Sequence, residues 1–202
     1  QGVETGTIRL YMDSESVEDD LEKACLEAKQ EDALGAYAVE YIKYSVNSVV
    51  TYNQADVQIT YRRTKEQVAS IVRVTGSSAI RERIRQALED FREEAVLRVS
   101  YFAEDESSLQ ELVRQAYYDN PGSALGLPEV EISLYPSAGR DRIIELVMTY
   151  PGSTPLLRVR RDAAEDRAEE LSASLRGMEG EQAALAAAEL LAENAAWDSE
   201  GD

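Results

Sequence analysis

The stretch that decides the fold is EVEISLYPSAGRDRIIELVMTY, residues 129–150. Val130, Ile132 and Leu134 alternate with polar neighbours, the period-2 pattern of a strand with one buried face. Pro136-Ser137-Ala138-Gly139 turns the chain. Ile144, Leu146, Met148 and Tyr150 then alternate again, so the segment is an antiparallel hairpin. Its second strand is apolar on the other face as well, through Ile143 and Val147. A strand apolar on both faces is normally covered on both sides. The carboxy-terminal helices, a second subunit or a further domain would each serve as cover, intramolecular cover being the plainer choice. Ile143 and Val147 are therefore candidate binding residues.

Upstream of the hairpin, Leu97, Val99 and Tyr101 alternate as a strand. Ser107 with Gln110 caps a helix carrying Leu109, Val113, Ala116 and Tyr117, which Asn120-Pro121-Gly122 ends. Residues 95–151 thus read as strand, helix, strand, strand. The first half shows the same succession. Ile8, Leu10 and Met12 lie on one strand face. Ser16 with Asp19 opens a helix with Val17, Leu21, Cys25 and Ala28 at helical spacing, and Gly35 falls where that helix should already have stopped. Val39 to Val46 and Asp56 to Tyr61 are strands, with turn residues in Ser45-Val46-Asn47-Ser48 and Tyr52-Asn53-Gln54. The halves align at an offset of about 90 residues, pairing Val39-Glu40 through Tyr44 with Val130-Glu131 through Tyr135, Thr60-Tyr61 with Thr149-Tyr150, and Ala24 with Ala116.

The expected fold is therefore α+β, with two tandem β-α-β-β repeats in residues 1–151. Repeat one spans 7–63 and repeat two 95–151. Connecting helices fill 64–94, starting at the Thr64/Gln67 cap and continuing, after Gly76-Ser77-Ser78, with Ile80, Ile84, Ala87, Leu88 and Phe91 in a stripe. Residues 152–202 read as a helical appendage. Thr154-Pro155 opens it as N-cap and first helical residue, Gly177 and Gly180 break it, and an Ala-rich helix runs on to about Trp197.

Composition narrows the chemistry. The 202-residue chain carries a formal net charge of −18 and 44% hydrophobic residues. Such acidity disfavours nucleic acid and anionic lipid, since phosphate binding needs Lys and Arg. No run of about 18 apolar residues is present, so no membrane insertion by this chain is expected. There is no His, which removes imidazole acid–base catalysis, Ser-His-Asp and Cys-His nucleophiles, and His metal sites. Cys25, the one cysteine, falls on an apolar helix stripe flanked by Glu22 and Glu27 and reads as a core thiol. Carboxylate pairs such as Asp19-Asp20 and Glu93-Glu94 point apart on a helix and form no calcium loop. Arg81, Arg83 and Arg85 interleave with Glu82 and Asp90 as a mixed exposed face. No nucleotide-binding glycine motif is present and no cofactor is expected. Among 11 tyrosines, Tyr44 and Tyr135 take matching places in the two repeats, opposite Val39 and Val130. They are read either as an aromatic platform for sugar or peptide or as packing under a helix.

The run Asp56-Val57-Gln58-Ile59-Thr60-Tyr61-Arg62-Arg63-Thr64, Val99-Ser100-Tyr101-Phe102, Ala116-Tyr117-Tyr118, Ala124 to Val130, Tyr135-Pro136 and Glu193 to Asp198 carry a resemblance. The chain resembles the amino-terminal region of transglutaminase-like proteins exported by Gram-positive anaerobes. The resemblance implies a non-catalytic, extracellular or cell-surface module, secreted or lipid-anchored. Its partner would be a downstream transglutaminase-like domain with the family's Cys-His-Asp set, none of which this chain supplies, with a cell-wall or protein ligand besides. A self-associating structural module (a homo-oligomer) and a carboxylate-based hydrolase are the rival readings.

Overall fold

The computed structural model describes residues 3–11, 16–120, 122 and 127–194. Readings that fell on Met12, Pro121, Ala124-Leu125-Gly126 and the stretch from Ala195 through Trp197 to Asp202 lie outside the described residues. In chain order the elements are strand β1 (Thr5–Leu10), helices α1 (Val17–Gln30) and α2 (Ala33–Ala38), and strands β2 (Val39–Val49) and β3 (Tyr52–Tyr61). Helix α3 (Lys65–Ala69), strand β4 (Val72–Val74), helix α4 (Ser77–Glu89), strand β5 (Glu94–Val99) and helix α5 (Glu106–Tyr118) follow. Strands β6 (Glu129–Tyr135) and β7 (Arg142–Thr149) precede helices α6 (Thr154–Ala173) and α7 (Gly180–Asn194).

The molecule is α+β with two sheets. One is three-stranded, ordered β1-β3-β2, and the other four-stranded, ordered β4-β5-β7-β6. In the first sheet β1, helical structure and the β2-β3 hairpin succeed one another, and in the second β5, α5 and the β6-β7 hairpin do so; β1 lies antiparallel beside β3 and β5 antiparallel beside β7. The decisive hairpin forms in the expected register, with Val130 opposite Met148, Ile132 opposite Leu146 and Leu134 opposite Ile144. Residues 64–94 are more than connecting helices, because β4 lies there and pairs parallel with β5 through the α4 crossover.

The residue matches between the halves do not correspond in environment. Tyr44 pairs with Val57 in mid-hairpin, whereas Tyr135 pairs with Ile143 at the mouth of its turn. Ala24 is exposed and Ala116 buried. The first hairpin closes at Val49 opposite Tyr52, with only Val50-Thr51 between. The polar stretches Ser45–Ser48 and Tyr52–Gln54 are strand, not turn. Their polar side chains fit a strand because one sheet face is open to water.

The main core lies between one face of the four-stranded sheet and helices α4 and α5. Ile80, Ile84 and Leu88 meet Leu109, Val113 and Ala116 over Leu97, Val99, Ile144, Leu146 and Met148. The opposite face is covered by α2, an element the sequence reading did not resolve. Ala33, Tyr37 and Ala38 pack on Val96 and Ile143, with Tyr61, Val68, Ile71 and Tyr135 around them. Gly35 lies inside α2 because a side chain there would strike the carbonyl of Ala28 in α1. On the second face of this strand Ile143 is covered from within the chain, by the first half and not by the carboxy-terminal helices, whereas Val147 stays exposed.

Helix α6 touches the body mainly through its first turns. Leu157 is fully buried. Arg158 Nη2 donates to Asp90 O at 3.2 Å, and Arg161 Nη1 donates to Glu89 O at 3.0 Å. These cations sit at the carbonyl end of α4, where the helix dipole favours positive charge. Thr154 is the first helical residue, one place beyond the N-cap Ser153, and its hydroxyl donates to Phe91 O at 3.4 Å. Further along, Arg167 Nη2 donates to Asn194 Oδ1 at 3.2 Å and joins α6 to α7.

Candidate functional site

Alternation of side chains sets the two faces of the first sheet apart. One face, bearing Ile42, Tyr44, Val46, Ala55 and Val57, turns toward α1, whose Val17 and Leu21 are buried. The other face is open. Across it run three registered rows: Thr5, Gln58 and Lys43; Thr7, Asp56 and Ser45; and Arg9, Gln54 and Asn47. Thr7 Oγ1 donates to Asp56 Oδ1 at 2.7 Å, and Gln54 Nε2 donates to the same oxygen at 3.4 Å. Two tyrosines bound the rows, each with a cation against its ring. Lys43 Nζ lies 5.1 Å from the Tyr41 centroid, and the Arg9 guanidinium 5.2 Å from that of Tyr52. Tyr11 stands 5.8 Å from Tyr52, ring to ring. A shallow depression of about 730 Å³ lies between the first two rows, lined by Thr5, Gly6, Thr7, Lys43, Tyr44, Ser45, Asp56, Val57 and Gln58.

A second polar group is buried where the halves meet. Arg63 Nη2 lies 2.6 Å from Glu145 Oε1 and donates to Oε2 at 2.8 Å. The Tyr135 hydroxyl donates to Glu145 Oε2 at 3.0 Å. The Arg63 guanidinium lies over the Tyr37 ring at 4.7 Å, and Tyr37 meets Tyr135 edge-on at 5.4 Å. Burial pushes the Tyr37 hydroxyl up to about 12, against the opposing pull of Arg63. Tyr37 and Glu145 are buried in this cluster, while Arg63 and Tyr135 are half-buried. Its geometry fixes the first half onto the second.

The sequence candidates scatter among these places. Tyr135 belongs to the buried junction, and Ile143, fully buried under α2, belongs to it too. Ile143 is closed to an external ligand, which corrects that expectation, because the helix that covers it comes from the first half of the chain; Tyr135 is half-buried and its hydroxyl is engaged by Glu145. Val147 is exposed. Tyr44 sits under α1, where partial desolvation and then Glu22, Cys25, Glu18 and Asp19 raise its pKa. Its backbone forms part of the floor of the depression, but Tyr44 and Tyr135 share no platform. Cys25 is half-buried and not a core residue. Desolvation raises its pKa, the opposite of what a nucleophile needs. Arg85 bridges Glu82 and Glu89 along α4, as a mixed charged face should. Among the described residues no group of three or more acidic or thiol side chains is placed to hold a metal ion.

Compared with protein-family models, with curated proteins and with solved structures, the chain matches none. Sequence reasoning missed both clusters. Glu145 did leave a signal, as the one carboxylate inside the apolar run Ile143 to Met148, because a buried charge requires a partner. The open rows left a fainter one, the polar alternation of Lys43, Ser45 and Asn47.

Proposed function

We propose that this chain is a non-catalytic binding and positioning module of the cell envelope, carried by an exported protein ahead of a transglutaminase-like domain. The observation that carries the reading is the open face of the first sheet. It presents hydrogen-bonding side chains on paired strands, which hold them more firmly than loops do. Acyl transfer of the transglutaminase kind needs a thiolate beside an imidazole. This chain has no His, and its one thiol is held toward the neutral form. The positioning half of the reading rests on α6, which is clamped at its start by Arg158 and Arg161 and then leaves the body. The common strand–helix–hairpin order of the two sheets supports their origin in one duplicated unit.

Co-sedimentation with purified envelope from a Gram-positive anaerobe tests the binding reading. The chain is expected in the pellet, and a chain that stays wholly in the supernatant rejects it. The reading frame beyond codon 202 tests the partner, which should encode Cys, His and Asp in transglutaminase-like order. Self-association is favoured by one feature, the 11-residue strand β2 at the edge of its sheet. Light scattering after size exclusion decides it, because a monomer at high concentration excludes a strand-paired dimer.

A further inference from the structure

The open face of the first sheet also speaks to the class of ligand, given that the chain is an envelope-binding module. We infer that the depression between the first two rows takes a neutral, hydroxyl-rich glycan chain lying across the strands.

The walls of the depression are Thr5, Gln58 and Lys43 on one side and Thr7, Asp56 and Ser45 on the other. Residues two apart on a strand are roughly 7 Å apart, and three strands span about 10 Å, so the trough is short, narrow and straight. Every wall residue ends in a hydroxyl, an amide, a carboxylate or an ammonium group. Hydroxyls both donate and accept, the Gln58 amide offers one of each, Asp56 accepts and Lys43 donates. That set complements a ligand dense in hydroxyls.

Charge narrows the class. The chain holds 39 acidic residues, yet the three rows contain one, Asp56, against Arg9 and Lys43. Asp56 is already engaged by Thr7 and Gln54. The face is thus nearly neutral within a chain of net charge −18. A polyanion meets repulsion from the rest of the molecule, and a polycation finds the acidic α1 more attractive than this face. An uncharged polymer meets neither effect.

A peptide is the other class of macromolecule, and the trough suits it less. Peptides bind sheets by adding a strand to an edge, with apolar side chains seated in alternate pockets. The middle of the floor is β3, whose backbone already pairs on both sides. The six side chains of the two rows are all polar, and Val57 belongs to the opposite face of the sheet by alternation. A peptide would have to choose an outer edge, that of β1 or that of β2.

The test is titration of the isotope-labelled chain with three soluble probes: the N-acetylglucosamine trimer, cellotriose and maltotriose. Amide shifts are followed by NMR. At least one probe should shift Thr5 to Thr7, Lys43 to Ser45 and Asp56 to Gln58 together, with a Kd on the order of millimolar, as for a small polar ligand. Gln58→Ala, at an exposed position, should weaken that binding about five- to tenfold, the loss of one hydrogen bond. It should leave the remaining spectrum in place, which separates lost contact from lost fold. Silence with all three probes at ten times that concentration overturns the glycan assignment, as do shifts confined to other surfaces. So do shifts along β1 alone or β2 alone on adding an extended peptide. Envelope co-sedimentation without any oligosaccharide response would leave the module reading standing and remove this one, whereas failure to sediment removes the former.

Discussion

At the scale of single residues, the most consequential side chain is Glu145. It is 6% exposed, and its oxygens are taken by Arg63 and Tyr135. Removing one member of a buried pair leaves the other charge uncompensated, which costs more than the pair contributes while intact. Glu145→Ala should therefore lower stability by about 3 kcal/mol in urea unfolding. Replacing both partners, as Arg63→Met with Glu145→Leu, should recover most of the loss, and a double variant no better than the single one contradicts this account. Tyr37 behaves differently, since its hydroxyl is buried without a hydrogen-bond partner among the described residues. Tyr37→Phe should be neutral or stabilising by up to about 1 kcal/mol, because the desolvated hydroxyl gains nothing in the fold. The same burial has a pH signature. The Tyr37 and Tyr150 hydroxyls are pushed up to about 12, chiefly by desolvation. Between their ordinary value near 10 and that value, the unfolded chain releases protons that the folded chain keeps. Stability from these two groups is therefore level below about pH 10 and falls as pH rises through 12. Tyrosine absorbance should show two late-titrating hydroxyls near pH 12, and Tyr37→Phe should remove one of them.

At the scale of elements, close approach and capping decide where helices begin and stop. Gly35 brings α2 against the last part of α1, and Gly35→Ala forces a methyl group onto the Ala28 carbonyl. Overpacking against backbone should cost about 2–3 kcal/mol, read as a lowered urea midpoint with unchanged slope. No comparable loss is expected at Gly6, which has open space beside it. This glycine shows the limit of what periodicity reveals. A helix of six residues (Ala33–Ala38) is too short for a 3.6-residue stripe to stand out, so α2 was legible only as a misplaced Gly. The long amphipathic helices and the hairpin of residues 129–149 were legible, because their apolar faces meet one continuous core. Caps were legible in part. Thr64 and Gln67 do form the reciprocal box, with Gln67 N donating to Thr64 Oγ1 at 3.2 Å. For α5 the acceptor is Asp105, not Ser107, with Ser108 N donating to Asp105 Oδ1 at 3.0 Å. Spacing alone does not separate neighbouring cap candidates when Asp, Ser and Ser follow one another so closely. Asp105→Ala should lower stability, read as a lowered urea midpoint, because the Ser108 N–H loses its cap acceptor. Hydrogen bonds from Ser108 and Ser107 hold the Asp105 carboxyl below its ordinary value. Its contribution is present above the ordinary carboxylate range and fades as pH falls through the lowered value. The difference between parent and Asp105→Ala should thus shrink in acid.

At the scale of the whole molecule, the two sheets are interlocked more than joined. Helix α2, from the first half, forms one cover of the second sheet, and Arg63 reaches from the end of the first hairpin to Glu145 in β7. A junction built from a buried cluster and an ion pair couples the halves, so urea should unfold both in one transition, with coincident curves from probes placed in each sheet. The carboxy-terminal helices stand outside that unit. Beyond Arg161, α6 is almost wholly exposed, and α7 has no buried residue. Backbone amides there should exchange with solvent well before those of β5 and β7, because few apolar contacts hold them. What fixes the direction of this arm is the pair of arginines on the end of α4. Both donate to carbonyls that the helix leaves unpaired, and Arg161 also lies over the Phe91 ring at 5.8 Å. Arg158→Ala with Arg161→Ala should therefore cost the body only about 1–2 kcal/mol while freeing the arm. Small-angle scattering should then report a broader distance distribution for the double variant than for the parent. An unchanged distribution would show that Leu157 alone sets the angle, and that the cations serve only to cap α4.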